Sequence, residues 1–175
     1  MFRKPGAPAR RQPGRAPSPS GLIAAPTSLY SWDFDIQDGT RAVTRLDMAN
    51  WRDEAAFQIE GEDYRARRMS RRGPYVLECK EGELARALKP SMFRRTFTLS
   101  IKGTPYELRP SRMLGRRFGL YQGSREVGWV GPERAFRRRL RAEFPTTFDD
   151  MERMFVLFLV ITTWRNDARA AAAGA

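Results

Sequence analysis

Eight consecutive apolar residues near the end of the chain, Met154 to Ile161 (Met-Phe-Val-Leu-Phe-Leu-Val-Ile), leave a helix there without a polar face. Asp149, Asp150, Glu152 and Arg153 precede the run, and Arg165, Asn166 and Asp167 follow Trp164. A bilayer span needs about 20 apolar residues, so even Met154 to Trp164, with its two threonines, is too short, and no transmembrane segment is expected. A helix that is hydrophobic all round and cannot span belongs inside protein. Thr146 or Thr147, after Pro145, is the expected cap, and Asp149 or Asp150 three residues on supplies a capping-box-like carboxylate beside the positive end of the helix dipole. The predicted central helix covers 147–168, reaching at most to about Ala170, with Arg165 and Arg169 at a solvent-facing far end and 171–175 as a flexible C-terminus.

The chain before this helix reads as short β segments of period two separated by glycine, proline or acidic turns. Ala55, Phe57 and Ile59 alternate with polar neighbours, and Gly61-Glu62 then turns the chain into Asp63 to Met69. In Phe93 to Ile101 the residues Phe93, Phe97, Leu99 and Ile101 share one face, opposite Arg94, Thr96, Thr98 and Ser100. Similar strands are expected over Leu29 to Gln37, Arg41 to Met48, Pro74 to Lys80, Glu83 to Lys89, Thr104 to Arg109, Arg117 to Gln122, Arg125 to Val130 and Phe136 to Phe144. Glu83 to Lys89 reads equally well as a helical turn. About eleven or twelve antiparallel strands in hairpin succession are too many for an open sheet, and closure removes the exposed edges. A barrel of that circumference needs something in its lumen. The expected fold is therefore all-β with one helix, a closed antiparallel β-barrel around the hydrophobic C-terminal helix.

Residues 1–27 hold six prolines among glycine, serine, alanine and arginine, with five basic residues and no acid. Such a segment cannot bury enough apolar surface to order itself, so it is expected to be a disordered basic tail before a barrel domain over 28–170. The formal charge of +12 favours anionic partners such as phospholipid headgroups, nucleic acid or an acidic protein. The single cysteine, Cys79, excludes an intrachain disulfide and suits a reducing cytoplasm. The absence of histidine removes serine-histidine triads, histidine bases and histidine metal ligands together. The expectation is a non-catalytic protein with no metal and no cofactor.

A meander of about a dozen strands ending in Thr-Phe-Asp-Asp-Met-Glu-Arg-Met-Phe-Val-Leu-Phe-Leu-Val-Ile, with an early strand pair from Leu29 to Met48 around Asp38-Gly39, resembles the tubby C-terminal domain, the LURP-one-related proteins and the phospholipid scramblases. The likeness covers about residues 29–170. It implies a helix-filled barrel in a binding or adaptor module, cytoplasmic or peripheral at a membrane. Arg65-Ala66-Arg67-Arg68-Met69-Ser70-Arg71-Arg72 before Tyr75 is similar to the basic strand and loop that helps tubby-like domains bind phosphoinositide headgroups. The resemblance departs from scramblases, because Asp33 to Asp38 matches no calcium loop and the last helix is short, so lipid scrambling is not expected.

Two basic clusters are candidate sites. Arg65, Arg67, Arg68, Arg71 and Arg72 would hold an anionic ligand, since clustered guanidiniums are planar, bidentate donors suited to phosphate. Arg137, Arg138, Arg139 and Arg141, with Phe136 and Phe144, would hold nucleic acid through phosphate contacts and stacking. The bland alternative for both is solvation of the outer barrel face. Trp32, Trp51, Trp129 and Trp164 fit core filling better than a ligand cage, and Gly115 to Gly131 has neither Walker nor dinucleotide spacing.

Overall fold

The period-two segments become twelve strands. In a computed structural model describing residues 21–91, 94–112, 115–134 and 138–174, the first six strands are β1 (Gly21–Pro26), β2 (Phe34–Asp38), β3 (Arg41–Met48), β4 (Glu54–Ile59), β5 (Glu62–Arg68) and β6 (Tyr75–Cys79). They are followed by β7 (Gly82–Leu88), β8 (Phe97–Ile101), β9 (Thr104–Pro110), β10 (Phe118–Gln122), β11 (Arg125–Pro132) and β12 (Leu140–Glu143). One helix, α1 (Asp150–Ala173), ends the described chain. Each strand runs antiparallel to its sequence neighbours, and β1 pairs with β12, Leu22 opposite Ala142 and Ala24 opposite Leu140, which closes the barrel. The ambiguous Glu83 segment is a strand, with Ala85 and Ala87 inside.

The lumen holds α1. Every residue from Glu152 to Arg165 is buried, with no exposed face over that stretch. Phe97, Leu99 and Ile101 of β8 point inward against it, as their alternation predicts, while Phe93 lies outside the described residues. The inner wall also carries Ala24, Ala55, Ala66, Ala85, Ala87 and Ala142, small side chains that leave room for the helix. Met154, Phe155, Leu157, Phe158, Val160 and Ile161 each gain about 1.5–3 kcal/mol from burial by area bookkeeping.

The helix starts later than predicted and ends later, at Ala173 rather than near 168–170, so it takes in most of the segment expected to be a flexible C-terminus. Asp149 is the N-cap and Glu152 completes the capping box, accepting the Asp149 N–H at 2.9 Å. An aspartate five positions before the apolar run outcompetes the threonines because Glu152 sits three residues after it. Lys102, from the β8–β9 turn, reaches Asp149 at 2.6 Å and Glu152 at 3.1 Å, and Arg153 reaches Asp38, at the end of β2, at 3.3 Å. These contacts pin the first turn of α1 to the tight-turn end of the barrel.

Four expectations are corrected. Gly21–Pro26, assigned to the tail on composition, is the closing strand, because Leu22 and Ala24 alternate inward however proline-rich the residues before them are. Leu29 to Ser31 is loop rather than strand. Ser28 Oγ accepts the Ser31 N–H at 3.0 Å, Ser31 Oγ donates to Asp33 at 2.5 Å, and these local bonds compete with a ladder. Of the four tryptophans Trp164 is buried in the core and Trp32 packs half-buried against it, whereas Trp51 is 91% exposed. Arg165, expected in solvent, is 1% exposed.

Candidate functional site

Connection lengths decide where functional side chains gather, because alternate connections of an up-and-down barrel fall at one end. The connections β2–β3, β4–β5, β6–β7, β8–β9 and β10–β11 are all two residues long. Glycine supplies the left-handed conformation where these turns need it, as at Gly61 (φ 83°) and Gly103 (φ 74°). The other six connections, 27–33, 49–53, 69–74, 89–96, 111–117 and 133–139, are five to eight residues long and all meet at the opposite end. The C-terminal part of α1 emerges among them.

This end of the barrel is strongly polarised in charge. Counted along the sequence, the six long loops carry thirteen Lys or Arg and only Asp33, Asp53 and Glu133 as acids. The two-residue turns together with residues 144–149 carry Lys80 and Lys102 against Glu60, Glu81 and Asp149. The basic excess of the barrel therefore lies at the loop end and not on its wall.

The sequence-predicted residues divide accordingly. Arg65 and Arg67 project from the outer face of β5, and each is held by a carboxylate, Arg65 by Glu54 and Arg67 by Glu78, both at 2.6 Å. The Arg67 bond holds the Glu78 carboxyl below its ordinary value. Arg68, at the end of β5, lies over the Tyr75 ring at 5.1 Å and 3.5 Å from Asp53. Arg71 and Arg72 are exposed in the β5–β6 loop and form no ion pair among the described residues. An open groove of ≈ 520 Å³ runs between the 49–53 and 69–74 loops, lined by Trp51, Arg52, Asp53, Arg65, Arg67, Arg68 and Arg71, but not by Arg72.

The second cluster is largely occupied. Arg138 stacks over Trp32 at 4.6 Å and donates to the Leu29 carbonyl at 2.6 Å and to the Ser31 carbonyl, so it ties two loops together. Arg139 pairs with Glu133 at 3.1 Å, and Arg141, on β12, faces Glu143 at 3.5 Å. Arg137 and Phe136 lie outside the described residues. Arg138 and Arg139 nevertheless sit at the same end as Arg71 and Arg72, on the opposite side of the rim.

Cations are also packed around the mouth of the lumen. Arg116 lies over the Trp164 ring at 4.0 Å; burial first, and Arg95 second, push its pKa down. Burial and Arg68 do the same to Lys89. The Trp164 indole N–H is buried without a partner. Arg165 donates to the Ala49 and Arg52 carbonyls, both at 2.6 Å, and so fixes the 49–53 loop to the helix.

Reading the sequence by cluster missed Arg52, Arg94 and Arg112, which are scattered in sequence and brought to one end by the barrel. Long and two-residue connections alternating through an even number of strands were the signal that would have gathered them. No helix among the described residues is long and apolar enough to cross a membrane. Comparison with protein-family models, with curated proteins and with solved structures returns no match, so what is shown of the chain is its architecture: a closed twelve-stranded antiparallel barrel with one C-terminal helix.

Proposed function

We propose that this chain is a non-catalytic binding or adaptor module, of tubby-like kind and cytoplasmic, whose loop end holds an anionic ligand, a phospholipid headgroup at a membrane surface. The observation that carries the reading is the segregation of unpaired charge. Arg45, Arg65, Arg67 and Arg86 on the barrel wall each sit against a carboxylate. At the loop end Arg52, Arg71, Arg72, Arg94, Arg112 and Arg134 are exposed and form no ion pair among the described residues. Unpaired guanidiniums concentrated on one face attract phosphate strongly and offer it bidentate hydrogen bonds.

Support for a non-catalytic role comes from the carboxylates of the same end, which are committed to structure. Asp53 accepts from Tyr75 at 3.2 Å and faces Arg68 and Arg165, Glu133 pairs with Arg139, and Asp33 accepts the Met48 N–H at 2.7 Å. Nucleic acid draws less support, since Arg138, Arg139 and Arg141 of its candidate run are engaged within the protein. Co-sedimentation with neutral and with anionic liposomes tests the reading. Selective recovery with anionic liposomes is expected; equal recovery with both, or none with either, refutes it.

A further inference from the structure

The large hydrophobic side chains left exposed on this barrel are not scattered. Leu29 (85% exposed), Tyr30 (93%), Trp51 (91%), Met69 (48%) and Leu88 (51%) are all of them among the described residues, and every one lies in a long loop or at the strand end beside it. None lies at the two-residue turns or mid-wall. Isolated exposed apolar residues need no explanation, but five at the one end that also holds the unpaired arginines do. Leu29 and Tyr30 are in the β1–β2 loop, Trp51 in β3–β4 and Met69 in β5–β6, three neighbouring loops around the rim.

Resting on the lipid reading above, we infer that the barrel docks end-on to an anionic membrane, its axis upright, with Trp51, Tyr30, Leu29 and Met69 inserted at the interface and the loop arginines on headgroup phosphates. Tryptophan and tyrosine favour the headgroup level, where an amphipathic ring meets both media. Leucine and methionine gain from the acyl boundary and offer nothing to a nucleic-acid base, which favours a membrane over a polynucleotide. Six loops ringing a barrel mouth form a broad end rather than a channel for one strand, and that end matches a planar partner. Two weak signals acting together, apolar insertion and polybasic attraction, are what stable membrane association requires. The presentation is built into the fold. Arg165, buried in the lumen, holds the carbonyls on either side of Trp51, at Ala49 and Arg52, so the indole is carried outward on a braced loop. The last turns of α1, ending in Ala170 to Ala173, leave the barrel through the same mouth, and Arg169 donates to the Asn50 carbonyl beside Trp51.

The test uses the full chain and phosphatidylcholine vesicles with or without about 30 mol% phosphatidylserine, a strongly anionic surface. Lipids brominated near the headgroup should quench tryptophan emission on binding, and Trp51→Phe should abolish most of that quenching. The pair Tyr30→Ser and Trp51→Ser should lower partitioning at least about tenfold, and Arg71→Gln with Arg72→Gln about 25-fold, near fivefold per cation. Arg125→Gln, exposed at the opposite end, should change it less than about twofold, since it lies beyond a Debye length from the bilayer. Both aromatic side chains are more than nine-tenths exposed, so these variants should melt with the unaltered chain, and a thermal scan verifies that. Anionic vesicles that bind the chain without quenching Trp51, and bind the Arg125→Gln variant no better than the Arg71/Arg72 pair, overturn end-on docking while leaving the lipid reading standing. No binding of the unaltered chain to anionic vesicles, including the case where it binds single-stranded RNA with a steep salt dependence, overturns both.

Discussion

Arg165→Met tests whether the end of the helix braces the 49–53 loop. The Arg165 guanidinium is 1% exposed and makes two short hydrogen bonds, to the Ala49 and Arg52 carbonyls at 2.6 Å, and a long one to Asp53 at 3.5 Å. Bonds from a charged donor contribute about 1.5–3 kcal/mol each, so the two short ones represent about 3–6 kcal/mol. Against this stands the cost of holding the charge in the lumen, where burial lowers its pKa and the Nε–H has no partner. Methionine fills much of the same volume without that cost, but it leaves two carbonyls unpaired. The net loss should be about 2–4 kcal/mol, which for a chain of this size lowers Tm by about 5–15 °C. Urea melts at constant pH, with the slope unchanged, would read it directly. Because the carbonyls take the short bonds, a double-mutant cycle with Asp53→Asn should give a coupling below about 1 kcal/mol. A variant that melts within about 2 °C of the unaltered chain, or a coupling of several kcal/mol to Asp53, would refute the brace.

Three further outcomes follow from the packing. Leu157→Asp places a carboxylate at a fully buried position of α1, and circular dichroism should find no cooperative melt; a folded, cooperatively melting variant would contradict the helix as the filling of the barrel. Removing residues 1–26 takes away β1 and exposes the edges of β12 and β2, so the shortened chain should aggregate in size-exclusion chromatography instead of eluting as a compact monomer. Gly128→Ala should lose about 1–3 kcal/mol in a thermal melt, because the new methyl would lie 2.6 Å from the Glu143 carbonyl on the neighbouring strand; unchanged stability would mean that β11 and β12 separate freely.

Period and volume made the barrel legible before any coordinates. Phe97, Leu99 and Ile101 announce an inward face, and a helix without a polar side can only be the filling. Composition misled where it was averaged over a window. Proline and arginine in the first twenty residues hid the alternation of Leu22 and Ala24 a few positions later, and with it the strand that closes the ring. Serine side chains at 28 and 31 broke a segment that reads as a continuous strand from Leu29. Arg165 escaped because its partners are backbone carbonyls 113 and 116 positions away, which no local pattern encodes. The candidate surface was half legible. Runs of arginine drew attention to 65–72 and 134–141, yet Arg65, Arg67 and Arg139 sit against acids that only strand register or loop geometry brings beside them.

The seam between β1 and β12 joins register partners 116 to 122 positions apart, and α1 comes later still in the chain. On a ribosome, eleven hairpin-linked strands can form before either the closing partner or the filling exists. Throughout that interval the nascent sheet has two free edges and an apolar inner face with nothing against it, and long-range pairing of this kind is slow. The chain should therefore depend on a chaperone until β12 and α1 are released, and its yield should fall more steeply with temperature than its equilibrium stability does.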